Sequence, residues 1–487
     1  MRKQTKILVA TALLALGASF TSMAAAKTGT WMLEDDGWYC YDKEGEAYED
    51  VFCLSYGKEY YMGDDGLMVT SSWVDHEENM YYVGSDGSKT INDWRYLVPE
   101  DADEDEDAEW FYFGSKGAMV KSAKKVIDGK TYYFADNGVM LTGWVDTADY
   151  DEATSVDGAV YCDENGARVA SSWIKVFAPG VDADEAEEDD KEWYWIKSKG
   201  AAQTGRNLDI NGETYFFGED GAMLSGWVAL IGDEYVELDF AISTPSVDTV
   251  YFCGGADQGW AKKNTWIKTW APADYEDADA DVDQYWYWIA KSGKVYVPDV
   301  ASDASAIDFV DGSLAAAQAL VVDTDSDAAM KEINDKMYAF NLDGEMISGL
   351  LQVTDKGLMY FGGADDGAMK TGAQMIEDEE GSEYKFFFAK KTDADDHYTE
   401  GVGVTGAASG ELFDNGLIQT ASDSYAKVTV EIDGDPYTFV VDEDGDIRTA
   451  EKDYENEDDE PLFSTKGYDF YTSGGAIKGA MYVPTAE

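Results

Sequence analysis

The stretch GKTYYFADNGVMLTGWV, Gly129 to Val145, sets a run of aromatic residues against a turn and then a single Trp. Short aromatic runs ended by Asn-Gly or Asp-Gly are hairpin signals, because those residues accept the left-handed backbone that a tight turn requires. The string recurs as GKEYYMGDDGLMVTSSWV at 57–74 and GETYFFGEDGAMLSGWV at 212–228. Looser copies are MYYVGSDGSKTINDW (80–94), VYCDENGARVASSW (160–173), KMYAFNLDGEMISGL (336–350) and YTFVVDEDGDIRT (437–449). A two-stranded hairpin alone is marginal in water. Many of them stacked can bury one continuous apolar seam. The expected fold is therefore all-β: a solenoid of stacked β-hairpin repeats, degenerate toward the C-terminus.

A longer period lies above the hairpin. Gly45, Gly117, Gly200 and Gly293 end WYCYDKEG, WFYFGSKG, WYWIKSKG and WYWIAKSG, roughly 70 to 90 residues apart. After the first three, Gly57, Gly129 and Gly212 open the Tyr-rich hairpin. The period decays beyond residue 298. The predicted organisation is a signal peptide at 1–26, a repeat solenoid with acidic insertions at 27–298, an Ala/Asp-rich connector at 299–336 and degenerate hairpins at 337–487. SLAAAQAL in the connector is expected as a short helix.

The signal reading rests on Arg2, Lys3 and Lys6, an apolar run from Ile7 to Phe20, and small residues at Ala24 to Ala26. Its removal takes the formal charge from −63 to about −66. The mature chain is expected outside the cell, retained at the cell wall or surface, with no membrane span. Such a charge repels nucleic acid and anionic membrane. An aromatic content of 14% argues against disorder. Cys40, Cys53, Cys162 and Cys253 are too few for a disulfide framework in a chain of this length. Cys40 and Cys53 are near enough in sequence to pair within one hairpin unit, whereas Cys162 and Cys253 read as buried apolar residues.

The units resemble the cell-wall-binding repeats of Gram-positive surface proteins, the choline-binding and glucan-binding repeat superfamily. GKTYYFADNGVMLTGW and GETYFFGEDGAMLSGW match its pattern, G-x-W-Y-Y-x-x-x-x-G-x-M-x-T-G-W, almost position by position. The resemblance covers most of 31–298 well and 337–487 poorly. It implies that ligands sit between consecutive hairpins, in cages of two or three aromatic rings. Carried over, the Gly-Trp position falls on Trp73, Trp144, Trp173, Trp227 and Trp266. The aromatic-strand position falls on Trp110, Trp193 and Trp286, with Tyr60, Tyr132 and Tyr215 in alternate hairpins and Tyr133 as the alternative to Tyr132. Ring faces hold quaternary ammonium groups, each contributing about 0.5–2 kcal/mol. The Tyr and Phe of the alternate hairpins are similar to the glucan-binding branch, where aromatic faces stack on sugar rings. Since strand side chains alternate between faces, about half of these rings are assigned to packing.

Catalysis finds no support in the residues. The two histidines, His76 and His397, lie far apart, and no G-x-S-x-G, P-loop or paired-histidine zinc spacing occurs. Three acidic runs occupy equivalent places, at 98–110, 178–193 and 271–286, each following a Pro and ending at a Trp. Solvated loops that keep the chain soluble are the plainer reading. The alternative is weak, diffuse Ca²⁺ or Mg²⁺ binding by carboxylates such as Asp103, Asp105, Asp107, Asp184, Glu188, Asp277, Asp279 and Asp281. No other cofactor is expected.

The sequence thus reads as a non-catalytic secreted envelope protein. Its partner is a cell-wall polysaccharide, a glucan or a choline-bearing polymer, met through aromatic sites between hairpins. The competing reading is a structural or adhesive surface fibre, with aromatics in the core and acidic loops that govern self-association or bind divalent cations.

Overall fold

The computed structural model describes residues 25–102, 107–183, 185–244, 246–275, 283–298, 309–310, 313–314, 330–353, 356–363, 365–378, 381–392 and 398–483. The expected signal peptide, apart from its last two residues, and His397 lie outside these ranges. The described residues form β-strands and three short 3₁₀ turns, with no α-helix among them. The chain divides into two compact units, Met1–Gln203 and Thr204–Glu487.

The first unit is a succession of antiparallel hairpins. Thr30–Leu33 pairs with Trp38–Tyr41, Val51–Ser55 with Lys58–Met62, and Ser72–His76 with Asn79–Val83. Asp93–Leu97 then pairs with Glu109–Phe113, and Ala123–Ile127 with Lys130–Phe134. Gly143–Asp146 takes Ala159–Cys162 on one side and the short Asp151–Glu152 on the other. Ser172–Val176 pairs with Glu192–Ile196. The strand pairs bracket the two-residue turns and the long acidic insertions alike, so an insertion lengthens a hairpin loop without changing the ladder beneath it.

Two contacts join each hairpin to the next. The first is a backbone hydrogen bond that recurs at one register. The N–H of Met68 donates to the carbonyl of Trp38 (2.9 Å), Lys89 to Glu59 (2.8 Å), Met119 to Met80 (2.8 Å), Met140 to Trp110 (2.9 Å) and Arg168 to Thr131 (2.8 Å). The second is steric. The same Met side chains lie under the turn glycine of the following hairpin. A Cβ on Gly87, Gly138 or Gly166 would stand 2.8, 2.4 or 2.3 Å from the sulfur of Met68, Met119 or Met140. These glycines also hold left-handed backbone, with φ of +77°, +86° and +73°. The D-G and N-G pairs of the sequence therefore meet two demands, a turn and a seat for the neighbour's thioether.

The second unit begins in the same way. Gly205–Ile210 pairs with Glu213–Phe217 across a bulge, and Trp227–Ile231 is flanked by Glu234–Glu237 and Thr249–Phe252. Thr265–Thr269 pairs with Tyr285–Ile289. Met223 under Gly259 and Met346 under Gly367 repeat the thioether seat. Its largest core gathers Trp227, Leu238, Ile242, Phe252, Tyr287 and Ile289. Toward the C-terminus the hairpins merge, as a five-stranded sheet spans Gly372 to Ile418 and a four-stranded sheet is built on Tyr425–Ile432 and Asp435–Asp442. In the connector, Ser313–Leu314 pairs with Phe309–Val310 as a short ladder. The first two residues of SLAAAQAL are thus strand instead of helix, and its remainder lies outside the described residues.

All four cysteines are buried free thiols. Cys40 and Cys53 share one apolar cluster with Met62 and are not bonded to each other. Burial pushes the Cys162 thiol up to about 12.

The thioether seat can be separated from the backbone requirement. Gly129 has φ +82° with open space around a Cβ, whereas Gly138 has the same backbone and Met119 beneath it. Gly129→Ala should cost about 1–2 kcal/mol. Gly138→Ala should cost about 1–3 kcal/mol more, because Met119 must move. Thermal melts of the two variants check this, and equal losses would remove the seat from the account of stacking.

Candidate functional site

Between consecutive hairpins lie aromatic groups whose composition alternates. The first kind is open to solvent. Trp94 and Trp110 stand edge to face, with ring centroids 6.4 Å apart and planes at 85°. Tyr132 of the following hairpin closes a third side, 5.0 Å from Trp94. Tyr96, 58% exposed, leans on Trp110, which is 44% exposed. The same pair recurs as Trp173–Trp193 at 6.3 Å and 88°, and as Trp266–Trp286 at 6.5 Å and 85°. Tyr338 takes the third side beside Trp266, at 4.8 Å. Cross-strand register explains the repetition. Trp94 faces Tyr112 and Tyr96 faces Trp110, just as Trp266 faces Trp288 and Lys268 faces Trp286.

One of these groups, and a further group near the N-terminus, line cavities. One of about 320 Å³ is walled by Trp266, Trp286, Tyr338, Met346, Asp365 and Asp366. Another of about 450 Å³, near the N-terminus, is walled by Trp31, Trp38, Tyr60, Met68 and Asp86, with Ser55 and Tyr56 at its edge. In each, rings form the walls, a thioether lies alongside, and a carboxylate marks the rim. Asp365 accepts hydrogen bonds from the Lys268 ammonium (2.6 Å) and the Trp286 indole N–H (3.0 Å). Those two donors hold its carboxyl below the usual carboxylate range. Lys268 also lies 5.9 Å from the Trp286 ring centroid.

The second kind is closed. Trp144 and Trp227, expected as display rings, are buried, at 6% and 1% exposure. Trp73 is partly buried. Each spends its indole N–H on a backbone carbonyl where an acidic loop leaves its strand: Trp73 on Val98 (3.0 Å), Trp144 on Phe177 (2.9 Å) and Trp227 on Trp270 (2.9 Å). Their ring edges meet Phe111, Tyr194 and Tyr287 of the next hairpin at 5.0, 5.0 and 4.7 Å. These are core tryptophans, and the acidic loops begin as their lids. Tyr133 is buried as well, and Tyr215 is partly buried.

Of the rings singled out in the sequence, the structure thus brings Trp110 and Tyr132 into one open group and pairs Trp173 with Trp193 and Trp266 with Trp286. Trp31, Trp38, Trp94, Tyr96 and Tyr338 complete the groups and were missed. Trp94 closes the copy at 80–94, so the Gly-Trp position marked it; Trp38 opens WYCYDKEG, the place that Trp110, Trp193 and Trp286 hold in their own strings, so the longer period marked it too. Of the acidic candidates, Asp107 is exposed and Glu188 pairs with Lys191 at 2.8 Å. Asp103, Asp105, Asp184, Asp277, Asp279 and Asp281 lie outside the described residues. Among the described residues, no group of three or more His, Cys, Asp or Glu is arranged to hold a metal ion. No helix among them is long and apolar enough to cross a membrane.

Residues 56–89 and 122–173 match two choline-binding repeat families. The chain carries repeats of the choline- and glucan-binding family. It is 28% identical over 194 residues to glucosyltransferase-S of Streptococcus mutans, which covers 39% of this chain and 11% of that protein. It is 26% identical over 205 residues to glucosyltransferase-I of Streptococcus downei, covering 37% of this chain and 12% of the relative. The chain therefore spans only about a tenth of the length of these relatives. The solved structure of CbpJ from Streptococcus pneumoniae aligns with 68% of this chain and 98% of its own length, at 19% identity and a TM-score of 0.39.

The rim contact yields a pH prediction. A carboxylate held low contributes stability that is present above its unfolded value of about 3.9 and is lost as pH falls through the lower folded value. On acidification below about pH 4, Trp286 should lose its partner and tryptophan emission should change. That component should be absent from Asp365→Asn, as fluorescence titration of the two proteins would show.

Proposed function

We propose that this chain is a non-catalytic surface protein, exported and held at the cell envelope, that binds a wall polymer through its open aromatic groups. The observation that carries the reading is the recurrence of the orthogonal Trp pair, with a third ring contributed by the next hairpin. Fully packed core rings need no solvent-facing copies that recur along the chain. Exposed rings that meet at right angles around a cavity have a use in holding a flat sugar ring or an organic cation.

The choline-binding repeat match and the glucosyltransferase relatives support two ligand chemistries, a choline-bearing polymer and a glucan. Charge bears on the choice. A chain of formal charge −63 repels phosphate-rich polymers, but the effect fades beyond a Debye length of about 8–10 Å. A cationic headgroup is attracted toward the rim carboxylates Asp86 and Asp365, and a neutral glucan meets no barrier. Export is supported by the basic and apolar N-terminal sequence. The absence of a catalytic constellation in the sequence supports a binding role.

Retention on choline-substituted resin and on insoluble glucan tests the proposal. The double variant Trp94→Ala/Trp110→Ala should weaken binding to the matrix that retains the protein by about ten-fold, from the loss of two ring faces. Trp144→Phe should lower Tm and leave retention unchanged. Failure of both matrices to retain the unaltered protein would sink the proposal.

A further inference from the structure

The junction between hairpins 51–62 and 72–83 carries the same four positions as the open group before it, with different residues. Phe52 stands where Trp31 stands one hairpin earlier, since Phe52 pairs with Tyr61 as Trp31 pairs with Cys40. Glu59 replaces Trp38 and Lys89 replaces Met68, as the recurring hydrogen bonds Lys89 N–H to Glu59 and Met68 N–H to Trp38 establish. Tyr81 replaces Tyr60. The cage is therefore built, and it is already full. The Lys89 ammonium lies 4.4 Å from the Phe52 ring centroid and 5.2 Å from that of Tyr81, and it forms an ion pair with Glu59.

The site is largely buried, with the Glu59 side chain at its edge, 30% exposed. Phe52 and Tyr81 are 6% and 3% exposed, and the Lys89 side chain is 8% exposed. Burying a charge is costly unless it is paired, and here a carboxylate and two ring faces compensate it together. The second unit repeats the device from another wall. Arg206, at the position of Phe52 in its own hairpin, places its guanidinium 5.6 Å from Phe216 and 5.4 Å from Tyr251.

We propose that Lys89 is an intramolecular occupant of an inter-hairpin aromatic cage, and that the cage emptied of it is a binding site for a small alkylammonium ion with Glu59 as counter-ion. Lys89 thereby removes this junction from the set that exogenous ligand can enter. The inference does not depend on which polymer, if any, the open groups bind.

Chemical rescue tests it. Lys89→Ala deletes an n-propylammonium group and should lower Tm. n-Propylammonium chloride should raise the Tm of that variant by about 2–4 °C over sodium chloride at equal concentration. The unaltered protein should show no such difference, 1-propanol should not substitute, and Lys89→Ala/Glu59→Gln should lose the response. If Lys89→Ala does not fold, the same comparison is read as recovery of its far-ultraviolet dichroism. Equal effects of propylammonium and sodium, or of propylammonium and propanol, overturn the proposal. Loss of matrix retention in Trp94→Ala/Trp110→Ala is a separate result and leaves it standing.

Discussion

The stack depends on a side chain, most often methionine, lying beneath the turn glycine of the next hairpin. A hairpin turn needs left-handed backbone, which glycine provides without strain. Stacking needs close approach, which glycine also permits because it has no Cβ. With Met68, Met119 and Met140 seated under Gly87, Gly138 and Gly166, successive ladders come near enough for one N–H to reach the carbonyl of the preceding hairpin. The unbranched thioether suits the seat because it adapts to irregular gaps. Where Lys89 and Arg168 take the Met position, their alkyl stems fill the same space under Gly117 and Gly200.

That substitution turns a packing rule into a pattern of chemistry. The junction that begins with Trp31 is open, the next is occupied by Lys89, and the one at Trp73 is lidded by the Val98 carbonyl. At Trp94 the open kind returns. The superunit is thus three hairpins with unlike junctions, joined by the same recurring backbone hydrogen bond. The acidic insertions belong to the lidded junction, where the residue before the loop covers a tryptophan. The carbonyls at the start of each loop reach the core.

Much of this was legible in the strings themselves. Aromatic runs, D-G turns and the trailing Gly-Trp point to hairpins because each residue type answers a local backbone demand. The longer period, too, was visible in Gly45, Gly117 and Gly200. The fate of an individual ring was not legible. Trp144 and Trp94 occupy the same motif position, yet one is buried and the other lines an open group. What separates them is non-local: Phe177, 33 residues on, accepts the Trp144 indole N–H, while Tyr132 leaves one side of Trp94 uncovered. The degenerate C-terminal hairpins also merge into broader sheets, since strands as long as Tyr425–Ile432 pair with each other over eight residues and need less from a neighbour.

The recurrence of one shallow aromatic group from hairpin to hairpin has a kinetic meaning. A single group of three rings releases its occupant quickly. Were a chain-like partner held at Trp94 and Trp110 as proposed, its next segment would meet another group at high effective concentration, and the second contact would form without a second diffusional encounter. Escape then requires every contact to be broken at once. Residence time can therefore grow with the number of open groups, with no single pocket needing to be deep.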